Sequence, residues 1–226
     1  MAIQSYGDIR TLLYCAFCGG ATGTRDHCPS RIFLDKPYPD DLPVVPACQD
    51  CNNSFSIDEE YLACLIACVL AGTTNPDNIE RQSIKKSLQH SEALRERLEQ
   101  ARTENDGQVI YVPETARVNN VITKLAQGHA LYELHESRPT QPDTVCAAPL
   151  ELLTQGQRDA FEFPELPAVW PEIGSRAMQR MVVGGEPDYP WISVQPGMYR
   201  YLASQESGTT IHIVIQEYLA GYVQWN

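Results

Sequence analysis

Four cysteines in two pairs, Cys15/Cys18 and Cys48/Cys51, carry the clearest chemistry in this chain. Two thiolates separated by two residues can turn back onto one ion, and two such knuckles complete a tetrahedral four-sulfur site suited to zinc. Four sulfurs leave no position for water, so this zinc is structural. In peptides such a site is worth roughly 10–16 kcal/mol, enough to hold a small motif that lacks a core. Iron would accept the same ligands, but nothing else in the sequence points to electron transfer. Four merely buried or free thiols would leave the paired spacing without a reason.

Between the pairs stand Asp26 and His27, and Asn52 follows the last cysteine at once. A hydrolytic reaction needs a deprotonated water and something to neutralise the negative charge that builds up. A hard cation on oxygen ligands meets the second need. An imidazole, which titrates near neutral pH, meets the first. Taken alone, an Asp-His pair reads as a surface turn; between two zinc knuckles it reads as chemistry. Neighbouring strand residues point to opposite faces, so the pair is expected at a bend or bulge, with Pro29 helping to end the pairing.

The ordered set Cys15, Cys18, Asp26, His27, Pro29, Cys48, Cys51 and Asn52 resembles the HNH endonuclease family over about residues 15–61. The resemblance implies a β-hairpin packed on one helix around a metal. It implies Asp26 as a ligand of a catalytic divalent cation, magnesium or manganese, and His27 as the general base acting on water. Asn52 would be the second ligand, with Asn53 as the fallback if the helix opens differently. The family's middle asparagine falls near Asp41-Leu42, where this chain has aspartate. The lysine often found three residues after the last motif position is replaced by Phe55, which removes a phosphate contact at that point.

These side chains need elements to position them. Arg25 to His27 precedes Pro29 in a stretch too short for a helix and is expected on a strand or its end. Asp35 to Pro43 is polar and proline-rich and reads as a loop. Cys48 to Asn53 opens a helix that runs through Leu70 to a stop at Gly72. Asn75-Pro76-Asp77 caps a second helix, about Ile79 to Arg102, followed by an Asn105-Asp106-Gly107 turn and a strand over Val109 to Val112. A third helix starts after Pro113, with Val118, Ile122, Leu125 and Tyr132 on one face. Residues 137–190 read as proline-rich and irregular. The tail reads as an antiparallel meander in which Ile211, Ile213 and Ile215 alternate with His212, Val214 and Gln216. The fold class is thus α+β, in three segments: an HNH motif with zinc knuckles (1–75), a helical connector (76–107) and an α+β accessory region (108–226).

The 226 residues are 43% hydrophobic and 20% charged, which excludes a largely disordered chain. No apolar run approaches the ~20 residues of a membrane helix. Asp8 and Arg10 interrupt any signal-peptide core, so a cytoplasmic location without membrane contact is expected, where cysteines serve metals more than disulfides. The net charge of −12, from 17 Lys+Arg against 29 Asp+Glu, runs against the basic footprint of nucleic-acid binders. Two arrangements reconcile it: a local positive face on the second helix, with six basic residues against four glutamates, or a partner protein that delivers or regulates the nucleic acid.

Weaker candidates read as structure. Cys28, Cys64 and Cys68 suit packing. His129 falls on the apolar stripe of the third helix, and His212 lies on a strand face with no evident partner. Asp58, Glu59 and Glu60 read as a solvated face. Trp191, Tyr199, Tyr201, Tyr218, Tyr222 and Trp225 read as sheet core rather than base-stacking surface. The expected function is a metal-dependent endonuclease acting on nucleic acid, with DNA the expected substrate, of a kind found in phage-defence and toxin systems. The alternative is a non-catalytic zinc-knuckle module that binds protein or nucleic acid.

Overall fold

A computed structural model of the chain describes residues 9–105, 108–164, 170–184, 191–205 and 208–226. The fold is α+β with antiparallel sheets. It divides into two units: the described residues through Ser54 together with Ile122–Asn226, and Phe55–Val121. This partition cuts across the three consecutive segments expected from the sequence.

The first unit opens with a short hairpin, β1 (Thr24–His27) and β2 (Val44–Ala47), followed by helix α1 (Gln49–Ser54). The register runs unbroken from Thr24 opposite Ala47 to His27 opposite Val44. The bulge expected at Asp26-His27 is therefore absent, and His27 is simply the last paired residue. Alternation then puts Thr24 and Asp26 on one side of β1, with Arg25 and His27 on the other. The helix expected to run unbroken from Cys48 to Gly72 is interrupted at Phe55. The Ser54 hydroxyl donates to the Cys51 carbonyl at 3.0 Å, taking up an acceptor that a continuing helix would use.

In the second unit, α2 (Ser56–Ala71) buries Tyr61, Leu62, Cys64, Leu65, Ile66 and Cys68. It ends as expected at Gly72, whose φ of 67° places its N–H on the Cys68 and Val69 carbonyls. Burial raises the Cys68 thiol to about 12, so Cys64 and Cys68 pack rather than react. Asn75 caps a short 3-10 turn over Pro76–Asn78 instead of a long helix. The long helix is two, α3 (Gln82–His90) and α4 (Glu92–Ala101), because the Ser91 hydroxyl accepts from Leu94 N–H and starts a new helix. Strands β3 (Arg102–Asn105) and β4 (Gln108–Tyr111) pair antiparallel; Asp106 and Gly107, expected to form their turn, lie outside the described residues.

Four of the six basic residues expected on the second helix are paired with carboxylates. Lys85 pairs with Asp77, Arg95 with Glu92, Arg97 with Glu114, and Arg102 with Glu99 and Glu104. The local positive face expected on the second helix is largely neutralised. Asp58 is likewise committed, to Arg117 at 2.5 Å and Asn120 at 2.7 Å.

Helix α5 (Thr115–His129) begins in this unit and ends in the first, where it widens into a π turn over Ala130–Leu134. The stretch expected to be irregular contains β5 (Thr144–Pro149), α6 (Gln155–Glu162) and α7 (Arg176–Gly184). The meander is β6 (Ile192–Gln195), β7 (Tyr199–Gln205), β8 (Thr209–Ile215) and β9 (Leu219–Trp225), and β5 joins it in the order β5-β9-β8-β7-β6. One face of this sheet, with Tyr199, Tyr201, Ile211, Ile213 and Val223, forms the core. His129 stacks on Tyr201 with centroids 3.7 Å apart and shares a 2.8 Å hydrogen bond with the Tyr199 hydroxyl. Burial lowers its pKa to about 3, so it is a neutral core histidine. Buried Glu133 accepts from the Tyr201 hydroxyl at 2.7 Å and pairs with Arg180 at 3.1 Å.

Close approach of α5 to the hairpin region needs Gly128: a Cβ there would lie 2.5 Å from Cys28 Sγ. Cys28 itself donates to the Leu125 carbonyl at 3.2 Å. Gly128→Ala should lower stability by about 1–2 kcal/mol, because overpacking outweighs alanine's helix preference of about 1 kcal/mol. Urea unfolding followed by circular dichroism measures this. Adding Cys28→Ala should restore most of the loss, and an undiminished midpoint in Gly128→Ala alone would contradict the close contact.

Candidate metal centre

The first knuckle is a tight turn. Gly19 N–H donates to the Cys15 carbonyl at 2.9 Å and Cys15 N–H to the Gly20 carbonyl at 2.8 Å, with Gly19 at φ 70°. The turn is tied to β2 by Ala16 N–H on the Pro46 carbonyl at 2.9 Å. The second knuckle sits at the start of α1, where Cys51 N–H points at Cys48 Sγ from 3.4 Å. All four sulfur atoms lie within 4.8 Å of one another. Four ligands about 2.3 Å from zinc at tetrahedral angles stand about 3.8 Å apart. The Cys18 and Cys48 sulfurs are 3.8 Å apart.

The thiols are also electrically prepared. Burial works to raise the Cys15 pKa, but N–H groups of Cys48, Phe17 and Cys18 outweigh it and bring the thiol down to about 7. Cys51 is pushed up, first by burial and then by the neighbouring sulfurs of Cys48 and Cys18. Four crowded thiols cannot all ionise alone; a divalent cation removes the conflict. The donor set and spacing therefore suit a structural metal such as zinc.

Next to this cluster the hairpin and α1 carry the other three sequence-derived residues. Asn52 Nδ2 donates to Thr24 Oγ1 at 3.2 Å and to the Arg25 carbonyl at 3.3 Å, which fastens α1 to β1. Asp26 extends from the same side of β1 as Thr24, so Asp26 and Asn52 share that side. The Asn52 Oδ1 accepts no hydrogen bond among the described residues. Asn53 is exposed, and its Oδ1 takes the Gln49 amide at 3.0 Å, so Asn52 rather than Asn53 faces the hairpin. Asp41 lies exposed in the loop before β2.

Asp26 has a partner that the sequence did not announce. Lys124 Nζ of α5 lies 2.8 Å from Asp26 Oδ2, and the two side chains are only 1% and 13% exposed. The contact is an ion pair without hydrogen-bond alignment; the aligned bond from Lys124 goes to Ser30 Oγ at 2.8 Å. A buried ammonium requires such a counter-ion. The other Asp26 oxygen, Oδ1, has no partner among the described residues.

His27 is half-buried, and its Nδ1 is enclosed with no hydrogen-bond partner among the described residues. Its pKa is lowered, chiefly by burial and then by Arg31 and Lys124, against an opposing pull from Asp26. The imidazole is thus neutral at pH 7. Arg25 shares its side of β1. Arg25, Arg31 and Lys36 are all exposed, with no carboxylate partner among the described residues; Arg31 and Lys36 both lie over the Tyr38 ring. Arg25 was legible as the neighbour of Asp26. Lys124 had one faint signal, a charge set among Val121, Ile122, Leu125 and Ala126.

One zinc per chain should be found by elemental analysis of purified protein. Strong chelation, or Cys48→Ser, should remove it and collapse the hairpin's amide dispersion. Because binding requires thiolates, zinc should be retained at neutral pH and lost as pH falls. Lys124→Met should cost about 3–5 kcal/mol in urea unfolding by stranding Asp26. A loss below about 0.5 kcal/mol would mean the pair is solvated.

Neither the protein-family models, nor the curated proteins, nor the solved structures contain a match to this chain, so the HNH resemblance stands on the residues named above.

Proposed function

We propose that this chain is a metal-dependent nuclease of the HNH kind, hydrolysing phosphodiester bonds of nucleic acid, with DNA as the expected substrate. The observation that carries the reading is one short hairpin and helix, beside a four-thiol cluster, bearing Asp26, His27 and Asn52 together. Asp26 Oδ1 and Asn52 Oδ1 are the two oxygens left for a magnesium or manganese ion. Such an ion, when bound, neutralises charge building on the phosphate.

The remaining work falls to the protein. His27, neutral at pH 7, takes the proton of the attacking water through a ring nitrogen. Arg25 and Arg31, without carboxylate partners among the described residues, supply the phosphate contacts that Phe55 cannot make. Lys124 holds the inner oxygen of Asp26 and leaves the outer one for the cation. A role in phage defence or as a toxin suits this chemistry equally.

One observation favours the non-catalytic zinc-knuckle module instead. Lys124 already neutralises half of Asp26, and a second cation must bind against that ammonium. Incubation of zinc-loaded protein with supercoiled plasmid and magnesium, manganese or chelator separates the two readings. Metal-dependent cleavage supports the nuclease; no cleavage with any cation, alone or with cell extract, supports the module.

His27→Ala should reduce magnesium-dependent nicking by about 10²–10⁴-fold while zinc content and melting temperature stay unchanged. Full activity in that variant would remove the general-base role.

A further inference from the structure

The outer face of the five-stranded sheet, opposite the core, holds a cavity of about 820 Å3 beneath α6. Its floor is a row of side chains that a purely structural sheet would not need. Ser204 of β7, Thr210 of β8 and His212 of β8 line it, at 5%, 5% and 3% exposure. His212 Nδ1 lies 2.9 Å from the Phe161 carbonyl. A carbonyl only accepts, so Nδ1 carries the proton. Burial lowers the ring's pKa to about 4, which leaves it neutral and makes Nε2 a bare acceptor.

No described residue donates to Nε2, and neither hydroxyl makes a side-chain hydrogen bond among the described residues. None of the three atoms is sealed off, so their free hydrogen-bonding capacity faces the cavity. Three polar side chains, each more than nine-tenths buried, line the cavity with hydrogen-bonding capacity that no described residue uses. Such groups need water or a ligand to satisfy them.

Two walls are aromatic: Phe161 and Tyr222 line the cavity and flank the imidazole with ring centroids 5.0 and 5.2 Å away. Phe163 stands 80% exposed at the rim. Flat walls favour stacked or edge contacts with a flat guest. The volume lies in the range of about 300–1,000 Å3 typical of small-molecule sites.

We propose that this cavity binds a flat nitrogen heterocycle bearing a ring N–H, of nucleobase size, with the N–H donated to His212 Nε2 and its polar edge against Ser204 and Thr210. The site is independent of the hairpin chemistry, and its occupancy does not require nuclease activity.

Calorimetric titration of the full zinc-loaded chain with adenine, indole and 1-methylindole tests it. Adenine and indole should bind at millimolar concentration or below. Methylating the indole nitrogen removes the only donor and should weaken binding about tenfold, as should His212→Phe with the unmethylated ring. Ser204→Ala with Thr210→Val should weaken adenine and leave indole unchanged. The comparison of indole with 1-methylindole uses only the unaltered protein, so it decides the point even where a variant fails to fold. Equal affinity for those two, or no binding of adenine at millimolar concentration, overturns the proposal.

Discussion

Everything in the hairpin region depends on four sulfur atoms being held together. Two four-residue strands form a ribbon that is marginal in water by itself. Helix α1 has six residues and buries none of them fully, so packing cannot fix its place. The thiol cluster joins the two knuckles, beside two backbone ties from the first knuckle region to β2 and the Asn52 amide on β1. A metal bound there would be worth more than the hairpin's own hydrogen bonds. Beside the cluster the Asn52 amide reaches the β1 backbone, on the side of the strand that carries Asp26.

The second constraint is electrostatic. A lysine buried on α5 would be intolerable without an anion, and Asp26 is that anion. The pair ties β1 to a helix about a hundred residues further along. Strand alternation separates the two adjacent polar side chains: Asp26 faces Lys124, and His27, on the other side, lies under the influence of Arg31. The regular register of β1 is thus compatible with two different environments for neighbouring residues, and no bulge is needed to create them.

What could be read from the sequence was what is local. The knuckles are legible because two thiols three residues apart report their own geometry. The same holds for Gly72, whose positive φ ends α2, and for the alternation of Ile211, Ile213 and Ile215. Breaks at Phe55 and Ser91 escaped because each depends on one hydroxyl choosing a backbone partner, a preference that periodicity does not encode. Lys124 escaped for a different reason. Its partners Asp26 and Ser30 are 98 and 94 positions away, and a lone lysine on a helix reads as solvated unless tertiary structure encloses it. The polar row of Ser204, Thr210 and His212 is hidden likewise, since it exists only once β7 and β8 pair.

Net charge then needs a local rather than a global reading. Charges beyond about 8 Å are strongly screened at physiological salt, so −12 spread over a chain of this size does not set the potential at one hairpin. Lys85, Arg95, Arg97 and Arg102 face carboxylates at 3.0–3.8 Å and contribute little net field. Arg25, Arg31 and Lys36 have no such partners among the described residues and dominate their own neighbourhood. A net negative charge with these cations on the hairpin suppresses general adhesion to a polyanion while permitting contact at the hairpin. Under the nuclease reading proposed above, this arrangement would limit cleavage to nucleic acid presented directly to β1, so selectivity would turn on delivery, by a partner or by substrate shape.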